Sequence, residues 1–205
     1  MEKIISHYPN YIEQLQLATE TYQSNMCFGL DPVLKSLSPH YASAGINGFV
    51  LQKEELFAYM REQGVFPGAF KPNYGFYTVH DRPLEFDFRG SIALAKTIKL
   101  VRKEFPKIPI IMDPKTGDIN KSSANYAETF FTGWGVNAMT IAPYMGEDSM
   151  IPFAEYCGMQ VEKKENRGAY VLNLTSNKGA KNFEMKEMAD SGKPLYMDVA
   201  GWIRT

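Results

Sequence analysis

Apolar residues in this chain fall into short continuous runs separated by stretches with helical spacing. After Pro9-Asn10, the residues Ile12, Leu15, Ala18 and Tyr22 recur at the interval of one helix face, and Met26 to Leu30 then forms a short apolar run that stops at Asp31-Pro32. The pattern repeats. Phe49, Leu56 and Met60 mark a second helical face before a run from Val65 to Phe70, which ends at Lys71-Pro72-Asn73. Leu94, Ile98, Val101 and Phe105 make the next stripe, and Ile108 to Met112 the next run, broken at Asp113-Pro114. Tyr126, Ala127 and Phe130 read as helix before Ala138 to Ala142, which ends at Pro143; Ala169 to Leu174 supplies a fifth run, and Tyr196 to Thr205 a last helix.

Strands that are apolar along their whole length are buried on both faces, and their alternation with helices predicts a parallel sheet built from crossover units, an α/β architecture. The polar residues fall in a telling place. Asp31, Lys71, Asp113 with Lys115, Pro143 and Ser176 each follow the apolar part of a run, so in a parallel arrangement they converge on one face. Ionisable residues at successive strand ends are what the active-site mouth of a (β/α)8 TIM-type barrel displays; an open doubly wound sheet is the alternative.

Composition narrows the setting. A chain of 205 residues, 44% hydrophobic, suits one domain spanning residues 1 to 205. The net charge is −1 and no basic run could follow a phosphate backbone, so no nucleic-acid partner is expected. Met1 to Tyr8 lacks an apolar signal core and no run approaches the ~20 apolar residues of a membrane helix, so no membrane association and a cytoplasmic location are expected. Cys27 and Cys157 have apolar or aromatic neighbours and read as buried thiols. Without secretion, Asn120-Lys121-Ser122 and Asn173-Leu174-Thr175 have no route to glycosylation. His7, His40 and His80 are scattered, and the glycines form neither a dinucleotide fingerprint nor a Walker-type loop, so neither metal nor nucleotide cofactor is expected.

The densest chemistry lies in Asp113-Pro114-Lys115-Thr116-Gly117-Asp118-Ile119, where two carboxylates surround an ammonium just after an apolar run. Held together, such charges stay ionised and form a preorganised array suited to a developing carbanion. The same spacing also fits a solvated turn with loosely paired charges. Lys71 alone fits a strand-end lysine reaching water, and Ser176 ordinary turn chemistry.

Taken together, Phe28-Gly29-Leu30-Asp31-Pro32, Phe70-Lys71-Pro72-Asn73, the Asp113 to Ile119 segment and Thr140-Ile141-Ala142-Pro143-Tyr144-Met145-Gly146 resemble the longer, bacterial-type orotidine 5'-phosphate decarboxylases, from about residue 28 to about residue 180. The resemblance implies cofactor-free decarboxylation of orotidine 5'-monophosphate to uridine 5'-monophosphate, the last step of de novo pyrimidine nucleotide synthesis. It implies a catalytic tetrad of Lys71, Asp113, Lys115 and Asp118. Asp31 and Lys71 would contact the ribose, Asp113 would crowd the substrate carboxylate, and Lys115 would stabilise and protonate the carbanion. Asp118, Ile119 and Ser122 would enter the site of a second subunit in a homodimer, Ser176 would bind the pyrimidine, and Pro143 would line the substrate. Pro114 and Thr116 stand where the family commonly has Ala and Arg, Ala142 where it often has Asn, and Ser122 where it usually has Thr.

The Asp-x-Lys-x-x-Asp core is shared across a superfamily that includes metal-assisted sugar-phosphate decarboxylases and aldolases. These usually place an acidic metal ligand near that segment, whereas Ile111 lies two residues before Asp113. A non-catalytic nucleotide-binding barrel remnant is a third possibility. Five predicted strands fall about three short of a complete barrel. The resemblance puts the phosphate-gripping loop and its arginine in those later strands, so a natural chain longer than 205 residues is expected.

Overall fold

The computed structural model describes residues 10–158 and 166–203; His7, the Met1 to Tyr8 segment, Arg204 and Thr205 lie outside them. The elements run α1 (Tyr11–Tyr22), β1 (Cys27–Gly29), α2 (Pro39–Ala42), α3 (Asn47–Gln63), β2 (Ala69–Lys71), α4 (Tyr74–Thr78), α5 (Arg89–Glu104), β3 (Ile111–Thr116), α6 (Asn120–Ala127), β4 (Ala138–Ile141), α7 (Glu147–Tyr156), β5 (Gly168–Val171) and α8 (Leu195–Trp202). α6 continues into a π-helical turn over Glu128–Gly133.

β1 pairs in parallel with β2, and β3 with β4 and β4 with β5. Parallel bridges from Phe70 to Ile110 and from Asn73 to Asp113 join β2 to β3, so the strands follow one another in chain order. A doubly wound sheet reverses its strand order at a switch point; this arc does not, and it grows as a barrel wall grows.

Alternation along the strands sorts their side chains into two faces. Phe28, Phe70, Ile110, Met112, Met139, Ile141, Ala169 and Val171 meet the helices in the main core. There the rings of Phe57, Phe70 and Phe105 pack with centroids 5.1 to 5.2 Å apart. The opposite face carries a small cluster of Ala69, Ile111 and Ala138 under Tyr11. α1 closes this end of the arc. Its capping box of Asn10 and Glu13 starts the helix, the Tyr11 hydroxyl meets that of Tyr170 at 2.9 Å, and buried Gln14 bonds Asn166 and Asn137.

Several boundaries differ from the sequence pattern. α1 buries Ala18 and packs Leu15 and Tyr22 against the core as their spacing predicts, but it also buries Tyr11 and Gln14, and Ile12 faces water. The strand expected from Val65 begins only at Ala69, and Val65 is exposed. β3 does not stop at Asp113 but pairs through Thr116. Of the two thiols read as buried, Cys157 is half-buried and Cys27 is exposed, since it lies on β1, which among the described residues pairs on one side only. No described helix is long and apolar enough to cross a membrane.

Candidate active site

Because the strands are parallel, their C-terminal ends lie together. Asp31 follows β1, Lys71 ends β2, Asp113 and Lys115 are the third and fifth of the six residues of β3, Pro143 follows β4 and Ser176 follows β5. β3 departs from regular pairing here. Between the Met112–Met139 and Thr116–Ile141 partners, Asp113, Pro114 and Lys115 stand opposite Thr140 alone. Such a bulge re-aims side chains, and it accepts a proline because the extra residues need no ladder donor. Each backbone donor is accounted for: Asp113 N–H bonds Pro72 O at 2.9 Å, Pro114 has none, and Lys115 N–H bonds Thr140 Oγ1 at 3.0 Å. Gly117 is required by close approach, since a Cβ there would stand 2.6 Å from Ala142 O.

The bulge gathers a charge cluster. Lys71 Nζ donates to Asp113 Oδ2 at 2.8 Å. Lys115 Nζ donates to both Asp113 oxygens, at 2.6 and 2.7 Å, and the Thr140 hydroxyl donates to Oδ1 at 2.7 Å. The Asp113 side chain is 4% exposed, Lys71 31% and Lys115 48%, so the carboxylate is held at the floor and the ammonium groups reach the opening. Burial pushes the Asp113 carboxyl up, but hydrogen bonds from Lys115, Lys71 and Thr140 together outweigh it and hold the group below the usual carboxylate range. Partial burial lowers Lys71, and its bond to Asp113 with the charges of Asp113 and Asp31 more than reverses this. Lys115 sits in the left-handed region at φ 47°, a conformation that costs a non-glycine residue about 1 kcal/mol or more.

Asp31 joins the cluster through the next loop, its Oδ1 accepting the Asn73 N–H at 3.1 Å. Asp118 does not join it: its Oδ1 accepts the Ile119 N–H at 2.8 Å, and among the described residues it forms no ion pair. Ile119 and Ser122 face solvent at the start of α6. Pro143 and Ser176 occupy neighbouring loops, which are tied together by the rings of Tyr144 and Phe183 at 5.5 Å, and within the second loop Glu184 accepts from Thr175 N–H and Oγ1. Ser176 itself is exposed. Sequence reasoning missed Thr140, although a hydroxyl in the run Ala138-Met139-Thr140-Ile141 is a legible signal, because a buried polar group needs a partner. Among the described residues no group of three or more His, Cys, Asp or Glu side chains could hold a metal ion.

The sequence and fold of the chain match known proteins. The model of the "Orotidine 5'-phosphate decarboxylase / HUMPS family" matches residues 24–198. The chain belongs to that family. It is 35% identical over 177 residues to the orotidine 5'-phosphate decarboxylase of Bacteroides fragilis, covering 86% of this chain and 58% of the relative. With the enzyme of Parabacteroides distasonis the identity is 37%, covering 86% of this chain and 56% of the relative. The solved structure of Leishmania donovani OMP decarboxylase superposes with a TM-score of 0.71 at 28% identity, over 94% of this chain and 64% of that one. The same organism's UMP synthase superposes with a TM-score of 0.70 over 94% of this chain and 36% of that one. The five-stranded arc is therefore part of the TIM-barrel fold of the orotidine 5'-phosphate decarboxylases, and the chain spans less than two thirds of the length of these relatives.

Proposed function

We propose that this chain carries the catalytic face of an orotidine 5'-phosphate decarboxylase, which converts orotidine 5'-monophosphate to uridine 5'-monophosphate and carbon dioxide. The observation that carries the proposal is the Lys71–Asp113–Lys115 cluster at the strand ends of a chain from this family. In the reaction the bond between the pyrimidine ring and its carboxylate breaks, carbon dioxide leaves, and the electron pair stays on the ring carbon. The Lys115 ammonium stabilises that charge and then transfers a proton from Nζ to the carbon. Asp113 holds the Lys115 ammonium through both of its carboxylate oxygens and stands against the substrate carboxylate, and Asp31 and Lys71 hold the ribose. Ser176 binds the pyrimidine and Pro143 lines it. No cofactor enters these steps, and Ile111, buried beside Ala69 and Ala138, offers no metal ligand where the sugar-phosphate enzymes place one.

Asp118, Ile119 and Ser122 are assigned to the site of a second copy in a homodimer. The solvent-facing positions of Ile119 and Ser122 support this, as do the exposed apolar side chains of Phe76, Val79, Leu84, Phe86 and Ile119. The phosphate grip is assigned to elements outside the five described strands.

The test is the absorbance loss of orotidine 5'-monophosphate with no added metal. Lys115→Ala is expected to lose several orders of magnitude in turnover while keeping the fold, because the charge and the proton donor disappear together. A variant with wild-type turnover would overturn the mechanism.

A further inference from the structure

Thr140 contacts two of the three charged residues of the cluster, the Asp113 carboxylate and the Lys115 backbone, yet presents no group of its own to the opening. Its hydroxyl donates to Asp113 Oδ1 and accepts from the Lys115 N–H, at 2.7 and 3.0 Å. Both directions are forced, because an ionised carboxylate only accepts and an amide N–H only donates. The single hydroxyl hydrogen is thereby committed, so Thr140 has none to offer a substrate. It also stands alone opposite the three bulged residues of β3, where the regular ladder supplies no partner for Lys115 N–H.

We propose that Thr140 is a positioning residue of the decarboxylase site: through one hydroxyl it sets the orientation of the Asp113 carboxylate and holds Lys115 in its left-handed backbone conformation. This rests on the decarboxylase reading for its kinetic consequence, though not for its structural one. Removing the hydroxyl leaves Asp113 Oδ1 and the Lys115 N–H each short of a partner and frees Lys115 to leave φ 47° for a relaxed conformation. The ammonium would then sit off the position where negative charge develops, and displacements of this size cost turnover more than binding.

The comparison is between Thr140→Val, which keeps the shape and removes the hydroxyl, and Thr140→Ser, which keeps the hydroxyl, each made in the full natural protein and confirmed folded by thermal unfolding. Thr140→Val is expected to lower kcat roughly ten- to a hundredfold with a smaller change in KM, the size of one hydrogen bond to a charged group. Its acid limb should move to higher pH, since Asp113 has lost a donor that favours its ionised form. Thr140→Ser should recover most of both losses. Carbon NMR titration of the Asp113 carboxyl supplies a readout that needs no turnover: its midpoint should rise in the Val variant and return in the Ser variant. Wild-type kcat with an unshifted Asp113 midpoint in Thr140→Val would overturn the proposal. So would a Ser variant as impaired as Val, which would place the effect in methyl packing. If the wild-type protein does not turn over orotidine 5'-monophosphate but the Asp113 midpoint rises in Val and returns in Ser, the decarboxylase reading fails and the positioning role stands.

Discussion

Asp113 is nearly excluded from water, and an isolated carboxylate there would take up a proton. Three donors prevent this, and their combined effect exceeds the cost of burial. The sign of the resulting pH dependence follows. A carboxyl with a depressed native pKa contributes stability that is complete above its unfolded value and is lost as pH falls through the native value. Lys71, raised in the native state, contributes stability that is complete below the ordinary lysine value and is lost as pH rises through its own raised one. The pair therefore stays intact across the neutral range. The unfolding midpoint of the wild-type protein is expected to fall at pH values below the ordinary carboxylate range, and Asp113→Asn should show a flatter acid limb. Identical acid limbs in thermal melts of the two proteins would contradict the assignment.

At the scale of elements, the site depends on how helices anchor the loops that carry it. Asn73 caps α4 by accepting the Gly75 N–H while its own N–H bonds Asp31, so one residue ties the β1 and β2 loops to the helix after them. The next helix, α5, starts against α4. Asp81 Oδ1 accepts the N–H groups of Gly90 and Ser91 at 2.7 and 2.9 Å, satisfying donors that a helix start leaves open. A Cβ on Gly90 would stand 1.9 Å from Tyr77 O, which is backbone and cannot swing aside. Gly90→Ala should therefore force α4 and α5 apart and destabilise the protein by about 1–3 kcal/mol, read in denaturant melts. An unchanged melt would mean that this contact is looser than the structure shows. Helix α5 was fully legible in the sequence, since Leu94, Ile98, Val101 and Phe105 all lie in the core as their spacing predicts. β3 was not, because Asp113-Pro114 is ordinarily a strand stop and only the bulge opposite Thr140 lets pairing resume at Thr116.

For the whole molecule, the proposed tetrad is divided. Lys71, Asp113 and Lys115 meet within one chain, whereas Asp118 turns back on its own loop. Under the proposed dimer, Asp118 of one copy completes the site of the other, so variants at Lys71 and Asp118 should complement. Lys71→Ala and Asp118→Ala homodimers are each expected to be nearly inactive, and their random mixture to recover about a quarter of wild-type activity, because half the dimers carry one intact site in two. Lack of recovery in verified heterodimers would argue against sharing.

What the sequence determined by itself was local and periodic: the alternation of helix and buried strand, the placement of Asp31, Lys71, Asp113, Lys115, Pro143 and Ser176 at strand ends, and the motifs that resemble the family. Parallel strands bring those ends to one face whatever the packing details, so the face on which these residues gather was legible. Tertiary structure decided which of these residues touch. Register between β3 and β4 is a relation between segments far apart in the chain, and no spacing rule specifies that three residues of one strand would face a single threonine of the other. That mismatch gives Asp113 its third donor and places Thr140 between the carboxylate and the lysine backbone.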